Sequence, residues 1–204
     1  GCPGYIVHMT CEGALNAVRK ATMRNQKVFV ETCSQYLMLD ASLYKREDGA
    51  KWVMSPPLRE KKDQDALWAG INQGLVQVVG TDHCPFKLEQ KAMGKDNFAK
   101  IPNGHPAIEH RMEFMYSEGV KKGKISLNKF VEVTSTNAAK IFGLYPRKGT
   151  IAIGSDADLV IFDPSKQHTI SVDTHHMNCD YSGYEGRKVI GKTEIVVLRG
   201  MVAI

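Results

Sequence analysis

The sequence predicts an α/β fold with a parallel sheet, followed by a separate unit made of short strands. Up to Pro85 the chain alternates strand-like and helix-like segments, a pattern typical of parallel strands joined by crossover helices. After Gly143 the pattern changes to short apolar runs between tight turns, with no long helix, which is typical of an all-β unit. We therefore expect an α/β part over residues 1–145 and a β part over residues 146–204.

Three short apolar runs are predicted to be the strands of the parallel sheet. A run of this kind that is bounded by turn residues indicates a buried strand. The runs cover residues 5–7, 27–30 and 75–80. Polar residues follow each run at once, and in parallel α/β proteins the functional side chains lie just beyond the carboxyl ends of the strands.

Apolar residues spaced three and four apart predict the helices. These cover residues 11–25, with Thr10 as the cap, and residues 61–72, 106–118 and 126–142, the last capped by Ser126. Two connections stand out. The Ser55-Pro56-Pro57 sequence predicts a rigid, extended loop, because proline cannot continue a helix or a central strand. The polar stretch over residues 87–104 has little periodicity, which predicts a lid or binding loop.

In the β part, strands are predicted over residues 149–154, 159–162 and 194–198, and Arg199-Gly200 is predicted to turn the chain into residues 201–204. The turn over residues 155–158 contains Asp156 and Asp158. These two aspartates could be a carboxylate pair, but ordinary turn chemistry explains them better.

Composition excludes several function classes. The formal charge of +5 is mild, and the scattered lysines are best explained as a solvated surface, so no nucleic-acid partner is expected. No apolar run approaches the roughly 20 residues that span a bilayer, so no membrane partner is expected. The five cysteines form no C-x-x-C pair, which argues against a disulfide framework or a zinc knuckle and favours a cytoplasmic protein.

The strand ends supply the candidate site. His8 follows the first predicted strand and Asp82 follows the third. Imidazole and carboxylate are usual ligands of a catalytic zinc. Alternatively, His8 is a satisfied core or capping histidine and Asp82 caps the next turn. A catalytic zinc typically has three protein ligands, and none of the other histidines obviously completes the set, so the sequence alone leaves the site incomplete.

Several motifs, taken in order, resemble the carboxyl-terminal part of the dihydropyrimidinase/D-hydantoinase family, in the cyclic amidohydrolase superfamily. The resemblance covers essentially the whole chain, and it depends on the order and spacing of motifs that are individually weak. The motifs are YIVH at residues 5–8, ETCSQYL at 31–37, MSPPLR at 54–59, GTDHC at 80–84, KIPNG at 100–104, the segment 149–162, and DTHH at 173–176.

The resemblance implies a fold and a site. The fold would be a (β/α)₈ TIM barrel beside a small β-sandwich, of which this chain carries strands six to eight with their helices and part of the sandwich. The site would hold two zinc ions bridged by a carbamylated lysine that is absent from this chain. His8 would be a metal ligand, and Asp82 would be both ligand and general base. The backbone at Ser55 and Asn103 would hydrogen-bond the cyclic amide, where ordinary turn chemistry is the alternative.

The implied activity is metal-dependent ring-opening of a dihydropyrimidine or hydantoin by a cytoplasmic homo-tetramer. The family also needs a His-x-His pair, which occurs nowhere here. This chain is therefore expected to be an incomplete fragment, inactive and poorly stable alone. Two alternatives stay open. One is a dihydroorotase or allantoinase on the same scaffold, and the other is a non-catalytic dihydropyrimidinase-like protein that acts in assembly.

Overall fold

The structure, a computed structural model, describes residues 1–203. Three parallel strands form the first sheet in the order β1-β2-β3, which confirms the α/β prediction. The strands are β1 (Gly4–Ile6), β2 (Val28–Cys33) and β3 (Val78–Gly80). Tyr5 lies opposite Phe29, and Thr32 lies opposite Val79. The sheet is open, and residues 1–203 close no barrel.

The α-helices connect these strands and continue after them. They are α1 (Glu12–Met23), α2 (Ser34–Met38), α3 (Lys61–Asn72), α4 (Leu88–Ala92), α5 (Arg111–Phe114), α6 (Leu127–Val131) and α7 (Asn137–Ile141). Short 3₁₀ segments cover Ala41–Lys45, Gly49–Trp52 and Phe98–Lys100, and π-helical segments cover Met115–Val120 and Glu132–Thr136. The long loop predicted over residues 87–104 therefore contains α4 and a 3₁₀ turn.

Helices α1 and α3 form as their apolar spacing predicts, but the predicted Thr10 cap is wrong. Cys11 occupies the cap position and makes no side-chain bond there. The carboxylate of Asp63 instead caps the amino termini of both helices. It accepts from the backbone N–H of Glu12 at 2.9 Å and from that of Glu60 at 3.2 Å. A carboxylate suits this place, since helix amino termini present unpaired N–H groups and a positive dipole end.

The helix predicted over residues 106–118 begins later, at Arg111. The backbone N–H groups of Ala107 and Ile108 donate to Nδ1 of His83, at 3.1 and 3.3 Å, so this stretch is tied to the β3 loop and precedes the helix. The predicted Ser126 cap is confirmed, because its hydroxyl accepts from the backbone N–H of Lys129 at 3.1 Å.

The second sheet is antiparallel and contains β4 (Leu159–Thr169), β5 (Lys188–Leu198) and β6 (Met201–Val202). Strand β4 continues beyond its predicted end at Phe162 and through Pro164, because a register shift between Asp163 and Gln167 leaves the proline outside regular pairing. The strand predicted over residues 149–154 is wrong: no pairing partner lies beside it within residues 1–203, and its isoleucines are solvent-exposed. The Arg199-Gly200 turn is confirmed, with φ of 51° and 83°.

The segments on both sides of the predicted boundary at residues 145/146 share one hydrophobic core. Phe114 packs on Tyr184 with ring centroids 4.4 Å apart, and the indole N–H of Trp52 donates to the carbonyl of Gly183 at 3.0 Å. The division into two domains stays a prediction. Within residues 1–203, no helix has both the length and the apolar character needed to cross a bilayer.

Candidate functional site

His8 and Asp82 lie just beyond the carboxyl ends of β1 and β3, on either side of the central strand β2. Both residues have left-handed backbone conformations, with φ of 39° and 45°. Such conformations cost a non-glycine residue about 1–3 kcal/mol and are concentrated at functional sites. His8 is half-buried and Asp82 is exposed. Within residues 1–203, no hydrogen bond or ion pair engages either side chain.

Hydrogen bonds to the end of β2 and to α2, which follows it, hold the ends of the two outer strands in place. The backbone N–H of Met9 donates to the carbonyl of Glu31 at 2.7 Å, and the Thr32 hydroxyl donates to the carbonyl of Met9 at 2.7 Å. On the other side, the side-chain amide of Gln35 donates to the carbonyl of Thr81 at 2.9 Å. Met9, which follows His8, is therefore fixed to β2, and Thr81, which precedes Asp82, is fixed to the helix that directly follows β2.

The loops that carry Ser55 and Asn103 are joined to each other. The backbone N–H of Gly104 donates to the carbonyl of Val53 at 3.1 Å. Ser55 and Asn103 are both exposed. The two predicted substrate-binding positions therefore lie on neighbouring segments, although they are 48 positions apart in the sequence.

The Asn103 loop also contacts the loop that carries Asp82. The backbone N–H of Cys84 donates to the carbonyl of His105 at 3.3 Å. Gly104 packs so tightly on the Cys84 carbonyl that a Cβ atom there would overlap it. Asp82, Asn103 and Ser55 are thus on three adjoining loops, and close approach requires glycine at position 104.

The proline-rich loop is held from two further sides. The Tyr36 hydroxyl donates to the carbonyl of Pro56 at 2.8 Å. Nε of Arg59 donates to the Thr10 hydroxyl at 3.3 Å, which connects this loop to the segment that follows His8. All four predicted site residues therefore belong to a connected set of loops at the carboxyl end of the parallel sheet.

Two weakly acidic side chains near Asp82, the Cys33 thiol and the Tyr36 hydroxyl, are shifted toward their neutral forms. Burial raises the pKa of the Cys33 thiol, and the carboxylates of Glu31 and Asp82 raise it further. Burial likewise raises the pKa of the Tyr36 hydroxyl, with smaller contributions from Cys33 and Asp82. Both groups stay protonated at neutral pH, so neither competes with the carboxylate for a cation or a proton.

Two other histidines in these loops are not placed to bind a cation. Nδ1 of His83 accepts two backbone N–H groups, and burial lowers its pKa. His105 is completely buried, and burial followed by the nearby Lys91 charge lowers its pKa to about 3. No group of three or more potential metal ligands converges within residues 1–203. The imidazole of His8 and the carboxylate of Asp82 suit zinc chemically, but they are only two of the three protein ligands typical of a catalytic site.

Sequence reasoning missed Lys91. The scattered lysines predict a solvated surface, yet Lys91 is only 2% exposed. Its ammonium donates to the carbonyls of Val53, Pro102 and Gly104, at 2.8, 2.7 and 2.8 Å. No local sequence signal identifies such a residue, because its partners are backbone carbonyls that any residue carries.

Comparison with known proteins gives consistent results. The amidohydrolase family matches residues 7–200. The chain is 50% identical over 199 residues to a D-hydantoinase of Geobacillus stearothermophilus, covering 96% of this chain and 42% of that protein. It is 46% identical to a D-hydantoinase of Streptomyces coelicolor, covering 98% of this chain and 43% of that protein.

Solved structures agree with the fold. The dihydropyrimidinase from Brevibacillus agri superimposes with a TM-score of 0.96 at 53% identity, over 98% of this chain and 44% of that one. The L-hydantoinase (dihydropyrimidinase) from Arthrobacter aurescens gives a TM-score of 0.92 at 32% identity, over 99% of this chain and 45% of that one. The chain thus spans less than half the length of these relatives. It belongs to the amidohydrolase family, in the D-hydantoinase/dihydropyrimidinase group.

Proposed function

We propose that the full-length protein opens cyclic amides by metal-dependent hydrolysis, with a dihydropyrimidine or a 5-substituted hydantoin as substrate. Family membership supports the reaction class, since the relatives are named hydantoinases and dihydropyrimidinases. The observation that carries the proposal for this chain is the arrangement at the sheet edge. His8 and Asp82, both in left-handed conformations, flank β2 beside the joined loops of Ser55 and Asn103.

In this proposal His8 and Asp82 contribute ligands to a zinc site. A complete site would contain two zinc ions bridged by a carbamylated lysine from outside this chain. Bound zinc lowers the pKa of a coordinated water toward neutrality and polarises the carbonyl under attack.

Asp82 acts as the general base. Its carboxylate is exposed and has no partner within residues 1–203, so it is free to accept a proton from the attacking water. The same group then delivers that proton to the ring nitrogen as the amide bond breaks.

The backbone groups at Ser55 and Asn103 hold the ring. A cyclic amide offers one N–H donor and one carbonyl acceptor for each amide, and peptide groups can pair with both. The loops that carry these residues are hydrogen-bonded to each other and to their surroundings, so they lose little entropy when substrate binds.

The test is to purify the full-length protein, measure its metal content, and follow hydrolysis of dihydrouracil and 5-phenylhydantoin before and after chelation. We expect zinc, ring-opening of at least one substrate, loss of activity on chelation and recovery when zinc is restored. A zinc-free protein that opens neither ring would contradict the proposal.

The same assay separates the alternatives. A dihydroorotase or allantoinase would open dihydroorotate or allantoin in preference to the two proposed substrates. A non-catalytic assembly protein would contain no metal and hydrolyse none of the four. A homo-tetramer and a cytoplasmic location belong to the proposal and are checked by light scattering and cell fractionation.

The isolated 204-residue chain is expected to be inactive. It presents only two of the proposed metal ligands, and its three-stranded sheet has two open edges. Incubating this chain with zinc, bicarbonate and dihydrouracil should give no more product than buffer does. Zinc-dependent product formation at a rate near that of the full-length protein would show that the site is complete without further residues.

A further inference from the structure

The ammonium of Lys91 lies in the interior, between three segments of the chain. The side chain starts in α4 and is only 2% exposed, and its Nζ reaches three backbone carbonyls at 2.7–2.8 Å. An ammonium has three N–H donors, so all three are used. Within residues 1–203 no carboxylate lies within 4.0 Å of this charge.

A buried charge without a carboxylate needs an explanation. Removing an ammonium from water is costly, and an apolar side chain usually fills an interior position at lower free energy. The Phe86 ring lies 5.4 Å from Nζ and gives some cation–π stabilisation, but it does not account for the three carbonyl contacts. The feature specific to this lysine is the identity of the carbonyls that it joins.

Those carbonyls flank the two proposed substrate-binding positions. Val53 lies two residues before Ser55, and the other two partners are the residues immediately before and after Asn103. The carbonyl of Val53 accepts from Lys91 and also from the backbone N–H of Gly104. One ammonium therefore sets the distance between two loops that are far apart in the sequence.

We propose that Lys91 is a positioning residue that holds the backbone at Ser55 and Asn103 at the separation required to bind the amide of the ring. This inference rests on the proposed function. Lys91 touches neither substrate nor metal. Its ammonium polarises the three carbonyls and keeps the two loops in one relative orientation, so that the ring meets a site that is already formed.

The test compares the kinetics of variants of the full-length protein with dihydrouracil. Lys91→Met keeps the length and apolar stem of the side chain but removes all three donors. We expect KM to rise about tenfold, which is the effect of losing roughly one good hydrogen bond, while kcat per folded subunit and zinc content change less than twofold. Lys95→Met, the same substitution at an exposed position of the same segment, should leave KM and kcat unchanged.

The split between KM and kcat distinguishes positioning from a merely structural role. A variant that is only partly folded loses active molecules, which lowers apparent kcat and leaves KM unchanged. If Lys91→Met does not fold, Lys91→Gln, which retains two donors on a shorter side chain, is measured by the same criterion. An unchanged KM in the variant that folds would overturn the inference. So would failure of both variants to fold while Lys95→Met folds normally.

The wild-type protein separates this inference from the function on which it rests. If wild-type protein opens dihydrouracil and the Lys91 variants keep its KM, only the positioning role fails. If wild-type protein opens no cyclic amide at all, the proposed function itself fails.

Discussion

The loops at the carboxyl end of the parallel sheet and the turn over residues 146–158 both combine aspartate with lysine, but they arrange these charges in opposite ways. In the turn, the ammonium of Lys148 forms ion pairs with both Asp156 and Asp158. Asp158 also accepts from the backbone N–H of Arg199 at 2.8 Å. These carboxylates fix the shape of an exposed turn, which confirms turn chemistry over a catalytic pair.

In the sheet-end loops the charges are kept apart. Within residues 1–203 Asp82 has no cationic partner, and Lys91 has no anionic one. Charges that pair with each other are neutralised, and in solvent their pairing contributes little. Charges that are kept apart remain available, one to accept a proton or bind a cation, the other to orient backbone carbonyls.

The largest effect should come from removing the unpaired carboxylate. Asp82→Asn keeps the shape of the side chain but removes its charge, so we expect activity of the full-length protein toward dihydrouracil to fall about 10³-fold. Asp158→Asn, in the paired turn, should change kcat by less than twofold. Steady-state kinetics with both variants checks this, and equal losses in the two variants would remove the distinction between the regions.

The next effect is on stability. Lys91→Met leaves three buried or partly buried carbonyls with fewer donors, and we expect the free energy of unfolding to fall by about 2–4 kcal/mol. Urea denaturation of the full-length protein measures this, with Lys95→Met as the exposed control. A Lys91→Met variant as stable as wild type would mean that the free energy gained from the hydrogen bonds of the ammonium only equals the cost of removing it from water.

A smaller effect depends on pH. Burial, followed by the nearby charge of Lys91, lowers the pKa of His105 from 6.5 to about 3. Between these pH values the unfolded chain binds more protons, so the free energy of unfolding decreases as pH falls, by up to about 1.4 kcal/mol per pH unit. His105→Leu should flatten this dependence between pH 6.5 and 4.5. A slope equal to that of the wild-type protein would contradict the assignment.

The smallest effect is expected in the turn itself. Lys148→Met removes two ion pairs, but their side chains are about one-third exposed, and pairs in contact with solvent are screened. We expect the melting temperature and the activity of the full-length protein to match those of wild type within error, in low salt and in high salt. A destabilisation as large as that of Lys91→Met would show that the difference in burial between Lys91 and Lys148 does not determine how much each contributes to stability.

Much of the local structure was predictable because it depends on periodicity. Helix α3 has the predicted bounds, and the three parallel strands fall within or beside the predicted runs. Errors arose where a distant partner decides the local conformation. Asp63 replaces Thr10 as the cap of α1, His83 holds Ala107 and Ile108 out of α5, and residues 149–154 have no neighbouring strand within residues 1–203.

The sequence by itself determined the alternation of strands and helices and the residue types at the strand ends, because both are properties of consecutive residues. Only the tertiary structure decided that His8 and Asp82 adopt left-handed conformations, that the Ser55 and Asn103 loops adjoin, and that Lys91 joins them. The physical reason is that these features depend on backbone carbonyls and N–H groups brought together by folding, and every residue type carries the same carbonyl.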